Sequence, residues 1–473
     1  MGNPKGFMTV PRHDAGNRPV HERVADFGEV EQTLNDEERQ LQASRCMDCG
    51  IPFCQWSCPV ANTMPEWQDA IYKGDWQGAI KILHSTNNFP EFTGRICPAP
   101  CEKGCVLNIH KEPVTIRENE CATIEKAFNL GYIKPQPPKN RTGKKVAVIG
   151  SGPAGMAAAD LLNKWGHSVT LFEKDEAIGG LLRFGIPDFK LSKSVIDRRI
   201  EVLQAEGLVI KTNTLVGIDI KAQDLMKEYD AVCIAIGAMK PRDLPVEGRD
   251  LKGIYFAMDF LTQQNRVVAG QEFSESERIF AKDKNVLVIG GGDTGSDCVG
   301  TSNRHKAKLV SQIEIMPKPG VDREFDNPWP YWPYVLKTSS SHEEGCERGW
   351  SLTTKRFIGE NGHVKQVEVV EVKWEKDPSG RQVMTEVPGS NKIINADLVF
   401  LAMGFVHPVH EGLVKDLGVE LDPRGNVKAS ADKKTSIDKV FVAGDATRGP
   451  SLVVHAIAEG RKMAENVHKF LVG

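Results

Sequence analysis

The chain has 473 residues, with 60 Lys and Arg against 63 Asp and Glu and a formal charge of −3; at roughly 150 residues per domain it is expected to hold about three domains. The near-cancelled charge argues against a nucleic-acid surface as the main business, and 40% hydrophobic with 26% charged residues is ordinary globular composition. The longest apolar runs, such as 398–405, are far too short to span a bilayer, and the start MGNPKGFMTVPRHD has no apolar signal core, so a soluble cytoplasmic protein is expected.

The N-terminal region reads as helical. Asn35 with Glu38 predicts a capping pair before EERQLQASR, and Thr63 with Glu66 predicts a capping box with Pro65 in the first turn. That helix should end at Gly74, Asp75 should cap WQGAIKILHS, and a further helix should cover Ile116–Leu130 and stop at Gly131. Eight of the eleven cysteines lie in this region, which in a cytosolic chain points to metal ligation rather than disulfides. They read Cys46-x2-Cys49-x4-Cys54-x3-Cys58-Pro59, then Cys97-Pro-x2-Cys101-x3-Cys105, then Cys121. The first run is close to the ferredoxin pattern, whose fourth cysteine serves the other cluster. That rule gives Cys46, Cys49 and Cys54 plus one later cysteine to one site, and Cys58 plus two later ones to a second, with Cys121 the obvious remaining thiolate. A CxxC pair alone would suit structural zinc; the Cys-Pro steps and nested spacing point to two four-iron clusters.

After the linker KPQPPKNRTGKK, strands and helices alternate. KVAVIG leads into Gly150-Ser-Gly152-Pro153-Ala154-Gly155 and a helix, with Glu173 ending the next strand. Such a loop lets backbone approach a pyrophosphate at a helix N-terminus, and an acid about 20 residues on accepts from ribose hydroxyls. A second copy begins at Asn285, with Gly290-Gly-Gly292-Asp293-Thr294-Gly295. Two such openings mean two dinucleotides. YDAVCIAIGA and ADLVFLAMGF close parts of the two sheets, and 364–394 alternates as an antiparallel ribbon. Gly444-Asp445 precedes a helix starting near Ser451; Asp445 could hold a ribityl hydroxyl or simply cap a turn, and both readings stay open. Cys233 and Cys298 stand alone and read as core residues, so no cysteine pair sits beside a flavin.

GSGPAG, the 179–182 GGLL turn, FGIPDFKL, AIG at 235–237, GGGDTG and AGDATRGPSLVV resemble the glutamate synthase small (beta) subunit family. The family also resembles part of dihydropyrimidine dehydrogenase and of ferredoxin-dependent transhydrogenases. DNPWPYWP (326–333) is similar to the variety whose NAD domain resembles that of the eukaryotic fused enzyme. The resemblance implies an α/β flavoprotein with two Rossmann-like, glutathione-reductase-like domains and an N-terminal α-helical iron–sulfur domain. It implies a two-cluster domain over 1–140, FAD-binding segments over 141–258 and 405–473, and an inserted NAD(P)H domain over 259–404. It adds Gly180, Leu181, Gly237, Gly444, Ser451, Leu452 and Val453 to the FAD site, and assigns Cys105 to the first cluster and Cys97 with Cys101 to the second. As that cluster's fourth ligand it implies Glu120, fourth after the Val114-Thr115-Ile116 triplet, where residue chemistry alone favours Cys121.

The implied activity is NAD(P)H oxidation by FAD, with electrons passing through the clusters to a glutamate synthase large (alpha) subunit in a hetero-oligomer. There, glutamine and 2-oxoglutarate become glutamate. The chain begins Met1-Gly2, without the N-terminal cysteine of a glutaminase, and lacks the length for that chemistry. Hydride transfer needs stacking and exclusion of water, so no catalytic acid or base is assigned. Electron input to a pyrimidine reductase or a transhydrogenase is the rival activity; a non-catalytic cofactor-binding regulator is the rival of another class. Where small subunits of this family often carry an aromatic and two arginines, this chain reads Ile313-Glu314-Ile315-Met316-Pro317-Lys318. Glu314 would accept from an unphosphorylated ribose and repel a 2′-phosphate, which leans to NADH. The alternative is that Glu314 faces solvent and Lys318 or Arg304 takes the phosphate.

Overall fold

The N-terminal region folds as the capping signals at Asn35 and Asp75 require. The structure, a computed structural model, describes residues 3–473; Met1 and Gly2, read above as lacking a nucleophile, lie outside the described residues. Helix Asp36–Ala43 opens on a full capping box between Asn35 and Glu38, and Asp75 accepts the Gly78 N–H at 2.8 Å to start helix Trp76–Thr86. The box expected at Thr63 is not made: its side chain bonds no helix N–H, and helix Met64–Tyr72 starts on Pro65. Proline fixes φ and removes one of the N–H groups that a cap would serve. Gly74 (φ +75°) and Gly131 (φ +69°) end their helices in the left-handed region.

These helices share an apolar core with the first sheet. Trp67, Ile71, Leu83 and Phe92 belong to one buried cluster with Val146, Met156, Ile457 and Val467. A buried ion pair, Arg199 to Glu91 at 2.5 Å, crosses the same boundary.

Two five-stranded sheets follow the two βαβ openings. The first contains β1 (Lys145–Ile149), β2 (Ser168–Phe172), β3 (Val209–Lys211) and β4 (Ala231–Ile234). The second contains β5 (Ile254–Phe256), β6 (Asn285–Ile289), β7 (Leu309–Glu314) and β8 (Glu347–Trp350). An antiparallel sheet of β9 (Leu352–Glu360), β10 (His363–Lys376), β11 (Gln382–Glu386) and β12 (Lys392–Asn395) packs against the second. It realises the expected ribbon and extends it at the N-terminal side. Then β13 (Leu398–Leu401) enters the second sheet and β14 (Val440–Val442) the first. The orders are β14-β4-β1-β2-β3 and β5-β13-β6-β7-β8, with every pairing parallel. Covered on both faces, such strands read as continuous apolar runs, as in the buried VAVI, VLVI and LVFL segments. β14 returning beside β4 joins the C-terminal segment to the first sheet. The boundary at 258 shifts, because β5 already pairs with β13; the first segment ends before Ile254. Among the described residues no helix is long and apolar enough to cross a membrane.

Asn35→Ala should cost about 1 kcal/mol of stability, whereas Thr63→Ala should leave the urea midpoint unchanged. Equal losses from the two substitutions would show that Thr63 does cap its helix.

Candidate functional site

The first glycine loop is shaped by close backbone approach. Gly150 has φ +98°, and a Cβ at Gly155 would stand 1.9 Å from the Gly150 carbonyl oxygen. Gly152 is different: nothing lies within 4 Å of where its Cβ would be. It precedes Pro153, Ala154 and the free N–H groups of helix Pro153–Lys164, so the open space suits a pyrophosphate. Glu173 is buried at the end of β2 and accepts N–H groups from Ser151 (3.2 Å) and Asp175 (3.0 Å), with the Ser151 hydroxyl as a further donor. Ser151 Oγ in turn accepts from Gly179 N–H at 3.0 Å. That bond seats the glycine turn on the loop, where a Cβ at Gly180 (φ +52°) would come 3.0 Å from Gly152 Cα. Leu181 starts the short helix after the turn, and Gly237 (φ +68°) follows β4.

The chain's end completes this site. A Cβ at Gly460 would stand 2.1 Å from the Ala154 carbonyl oxygen, so helix Val453–Val472 crosses the loop helix closely. Gly444, Asp445, Leu452 and Val453 arrive with it. Asp445 Oδ1 accepts from Ser451 Oγ at 2.6 Å, and burial pushes its carboxyl above the usual range.

The second loop repeats the first. Gly290 has φ +125°, a Cβ at Gly295 would meet the Gly290 carbonyl oxygen at 2.3 Å, and Gly292 again has open space. Asp293 and Thr294 begin helix Asp293–Arg304. Glu314 accepts N–H groups from Gly291 (2.6 Å) and Met316 (3.1 Å), the same hold that Glu173 has in the first domain. Arg304 does not reach this strand end. Its side chain is fully buried, paired to Glu344 at 2.6 Å, bonded to the Asp26 carbonyl, and stacked 3.8 Å over Phe189. The expectation that it meets a coenzyme is corrected: it joins the N-terminal arm to the second domain. Lys318 lies 4.9 Å over the ring of Trp350, the residue paired with Glu314 across β7 and β8, and Arg348 packs on the same ring.

One cleft of about 890 Å³ is lined by both nucleotide domains and the helical domain. Asp293 and Asp297 line it from the second domain, Leu452 and Val453 from the C-terminal helix, and Cys97 with Pro98 from the helical domain. Lys190 projects into it and pairs with Asp297 at 2.5 Å. Sequence reasoning missed this pair; its signal was confined to the FGIPDFKL motif, which gives no hint of a partner 107 residues on.

The eight expected cluster ligands fall into two groups. Cys46, Cys49, Cys54 and Cys105 line one cavity. Cys58, Cys97 and Cys101 gather around Glu120, whose charge each of them feels. Burial pushes the thiols up, to about 12 for Cys46 and Cys97 and about 11 for Cys58. Backbone N–H groups work against that rise: Asp48 at Cys46, Ala99 at Cys97, Asn62 at Cys58, Val114 at Cys105. Such donors stabilise thiolate, the metal-binding form. Among the described residues no three His, Cys, Asp or Glu side chains converge on a single-ion site. Four cysteines on one cavity, and three around one carboxylate, offer one ligand to each iron of a four-iron cluster.

Glu120 and Cys121 face different surroundings. Glu120 is buried, its carboxyl raised to about 7 by desolvation, and it accepts from Asn87 Nδ2 (2.9 Å), Thr93 Oγ1 (3.0 Å) and Asn62 Nδ2 (3.4 Å). The Cys121 thiol instead feels Arg95, Glu125 and Arg117, and its backbone packs on Gly94. Adjacent helical residues point about 100° apart, so one of them alone joins the three cysteines.

Residues 144–460 match the pyridine nucleotide-disulphide oxidoreductase family, and residues 23–131 match the 4Fe-4S domain II of dihydropyrimidine dehydrogenase. The chain is 48% identical over 477 residues to the Glutamate synthase (NADPH) small chain of Mycobacterium tuberculosis, covering 100% of this chain and 97% of that one. It is 45% identical to the Glutamate synthase (NADH) of Saccharomyces cerevisiae over 99% of this chain, which is 22% of that longer one. The solved structure of Mycobacterium tuberculosis FprA in complex with NADPH shares the fold, with a TM-score of 0.55, 19% identity, and coverage of 71% of this chain and 84% of that one.

Cys46→Ser should abolish one cluster signal and Cys58→Ser the other, although the two residues lie in one run. Glu120→Ala should perturb the same cluster as Cys58→Ser, and Cys121→Ala should perturb neither. Iron content and low-temperature electron paramagnetic resonance (EPR) decide this; an unperturbed cluster in the Glu120 variant assigns the ligand to Cys121.

Proposed function

The chain belongs to the glutamate synthase small-chain family, and on that premise we propose that it oxidises NAD(P)H and delivers the electrons to a large chain that forms L-glutamate from L-glutamine and 2-oxoglutarate. The observation that carries the reading is the shared cleft: Cys97, the start of the C-terminal helix and the second glycine helix line one void. When bound, FAD accepts a hydride from the reduced nicotinamide, and two four-iron clusters carry the electrons away singly.

The chain's own residues bind, orient and exclude water. The first loop, Gly150 to Gly155, takes the FAD pyrophosphate, Glu173 its ribose, and Asp445 with Ser451 the ribityl side. The N-terminus of helix Val453–Val472 directs its positive end at the ring site, where it stabilises negative charge. Gly290, Gly292 and Gly295 admit the nicotinamide dinucleotide, with Asp293 and Thr294 opening the helix behind it. Lys190 and Asp297 hold the cleft wall between the two domains. Cys46, Cys49, Cys54 and Cys105 would hold the first cluster; Cys58, Cys97, Cys101 and Glu120 the second. Cys97 lines the cleft, so the second cluster is the nearer to the flavin.

The partner is a glutamate synthase large chain, in a hetero-oligomer. In the fungal relative the matching region is part of one longer polypeptide, which supports a stable association of the two halves. The location is cytoplasmic, where a thiol-rich chain stays reduced. Purified alone, the chain should reduce ferricyanide or a tetrazolium dye with reduced nicotinamide and make no glutamate. Glutamate from the pure chain would overturn the division of labour, and capture of a pyrimidine reductase instead of a glutaminase-bearing chain would overturn the assignment of partner.

The preferred donor is NADH. Glu314 sits at the ribose end of β7 and is held there by two backbone N–H groups, while Arg304 is closed off by Glu344. With a dye acceptor, kcat/KM should favour NADH, and Glu314→Ala should cut that preference about tenfold, worth about 1.4 kcal/mol. Arg304→Ala should leave the ratio unchanged but lower stability, since it leaves the buried Glu344 with Arg23 as its one remaining guanidinium partner. A wild-type preference for NADPH would transfer the choice to Lys318 and Arg348.

A further inference from the structure

We propose that Asn62, Asn87 and Thr93 form a positioning shell that fixes the Glu120 carboxylate, presenting one oxygen to the second cluster and setting that cluster's potential. The inference rests on the second cluster proposed above. All three side chains donate to the same atom, Glu120 Oε1. Oε2 accepts no hydrogen bond from the described residues, and the carboxylate lies among Cys58, Cys97 and Cys101. A carboxylate with one oxygen saturated and the other free is arranged to bind a metal through a single atom.

The donors are themselves oriented, which separates a built shell from a chance contact. Asn87 Oδ1 accepts the Phe89 N–H at 3.0 Å, so the amide must turn its NH₂ toward Glu120 and Thr93. Thr93 Oγ1 accepts from Asn87 Nδ2 at 2.8 Å, so its single proton goes to an acceptor, and Oε1 at 3.0 Å is nearer than the Phe89 and Pro90 carbonyls at 3.3 and 3.5 Å. Asn62 Oδ1 accepts from the Thr86 hydroxyl, which again leaves the NH₂ for Glu120. Asn62 also contributes its backbone N–H to the Cys58 thiol, so one residue touches two ligands of the same site. The donors come from three separate places: the loop after Cys58, the end of helix Trp76–Thr86, and helix Pro90–Ile96.

Hydrogen bonds to a ligating carboxylate draw electron density from it. The ligand then donates less to iron, which favours the reduced cluster. Removing a donor reverses the effect, so the midpoint potential should move to more negative values.

The test uses the holoprotein purified anaerobically, with iron analysis and potentiometric EPR. Thr93→Val should keep the iron content, shift the second cluster's midpoint negative and leave the first cluster unmoved; Thr93→Ser should restore the wild-type value. Asn62→Leu removes a different donor and carries the same expectation if Thr93→Val does not accumulate. A second cluster that responds to Glu120→Ala but not to loss of any donor overturns the shell while the ligand assignment stands. A second cluster indifferent to Glu120→Ala overturns the ligand assignment, and the shell with it.

Discussion

The arrangement turns on one contact, the crossing of helix Pro153–Lys164 by helix Val453–Val472. At that point Gly460 lies against the Ala154 carbonyl, and any side chain there would hold the helices apart. The close crossing sets Gly444 against Ala154, and with it brings Asp445 and the last helix's N-terminus to a glycine loop some 300 residues earlier. The same helix packs into the apolar cluster that also holds Trp67, Leu83 and Phe92. Burial of this cluster is the dominant favourable force. It fixes the cysteine-bearing helices against the flavin-binding half, with Cys97 at the cleft.

A second economy is repetition. Each dinucleotide domain uses a glycine held at positive φ, a glycine with open space, and an acid at the end of the second strand that holds backbone N–H groups of the loop. The acid therefore holds the loop backbone in place. The two sheets share an order, with β14 and β5 in equivalent places. Because β14 comes from the chain's end, the second domain is an insertion into the first.

The N-terminal arm secures this insertion. Arg23 and Arg304 both pair with Glu344, and Val30 donates its N–H to the Phe189 carbonyl. Phe189 in turn lies beneath Arg304. A buried acid shared by two guanidiniums is costly to open, since either partner's loss leaves uncompensated charge in the interior. The arm thus limits how the two nucleotide domains sit at their common cleft.

The sequence by itself determined the local elements: capping at Asn35 and Asp75, both glycine loops, and the acids that follow them. These depend on spacing along the chain, because turn, cap and strand periodicity are short-range constraints. It failed at Thr63, where Pro65 made a cap unnecessary, and at Arg304, where a helix position near the second loop gave no hint of Glu344 forty residues on. The boundary before Ile254 was hidden because β5 becomes part of a sheet only by pairing with β13. Only the tertiary structure decided between the surroundings of Glu120 and Cys121, placed Lys190 against Asp297, and gathered Asn62, Asn87 and Thr93 on one carboxylate oxygen. Each depends on side chains from separate elements meeting in a dry interior, and the packing of those elements sets such meetings, which no local pattern encodes.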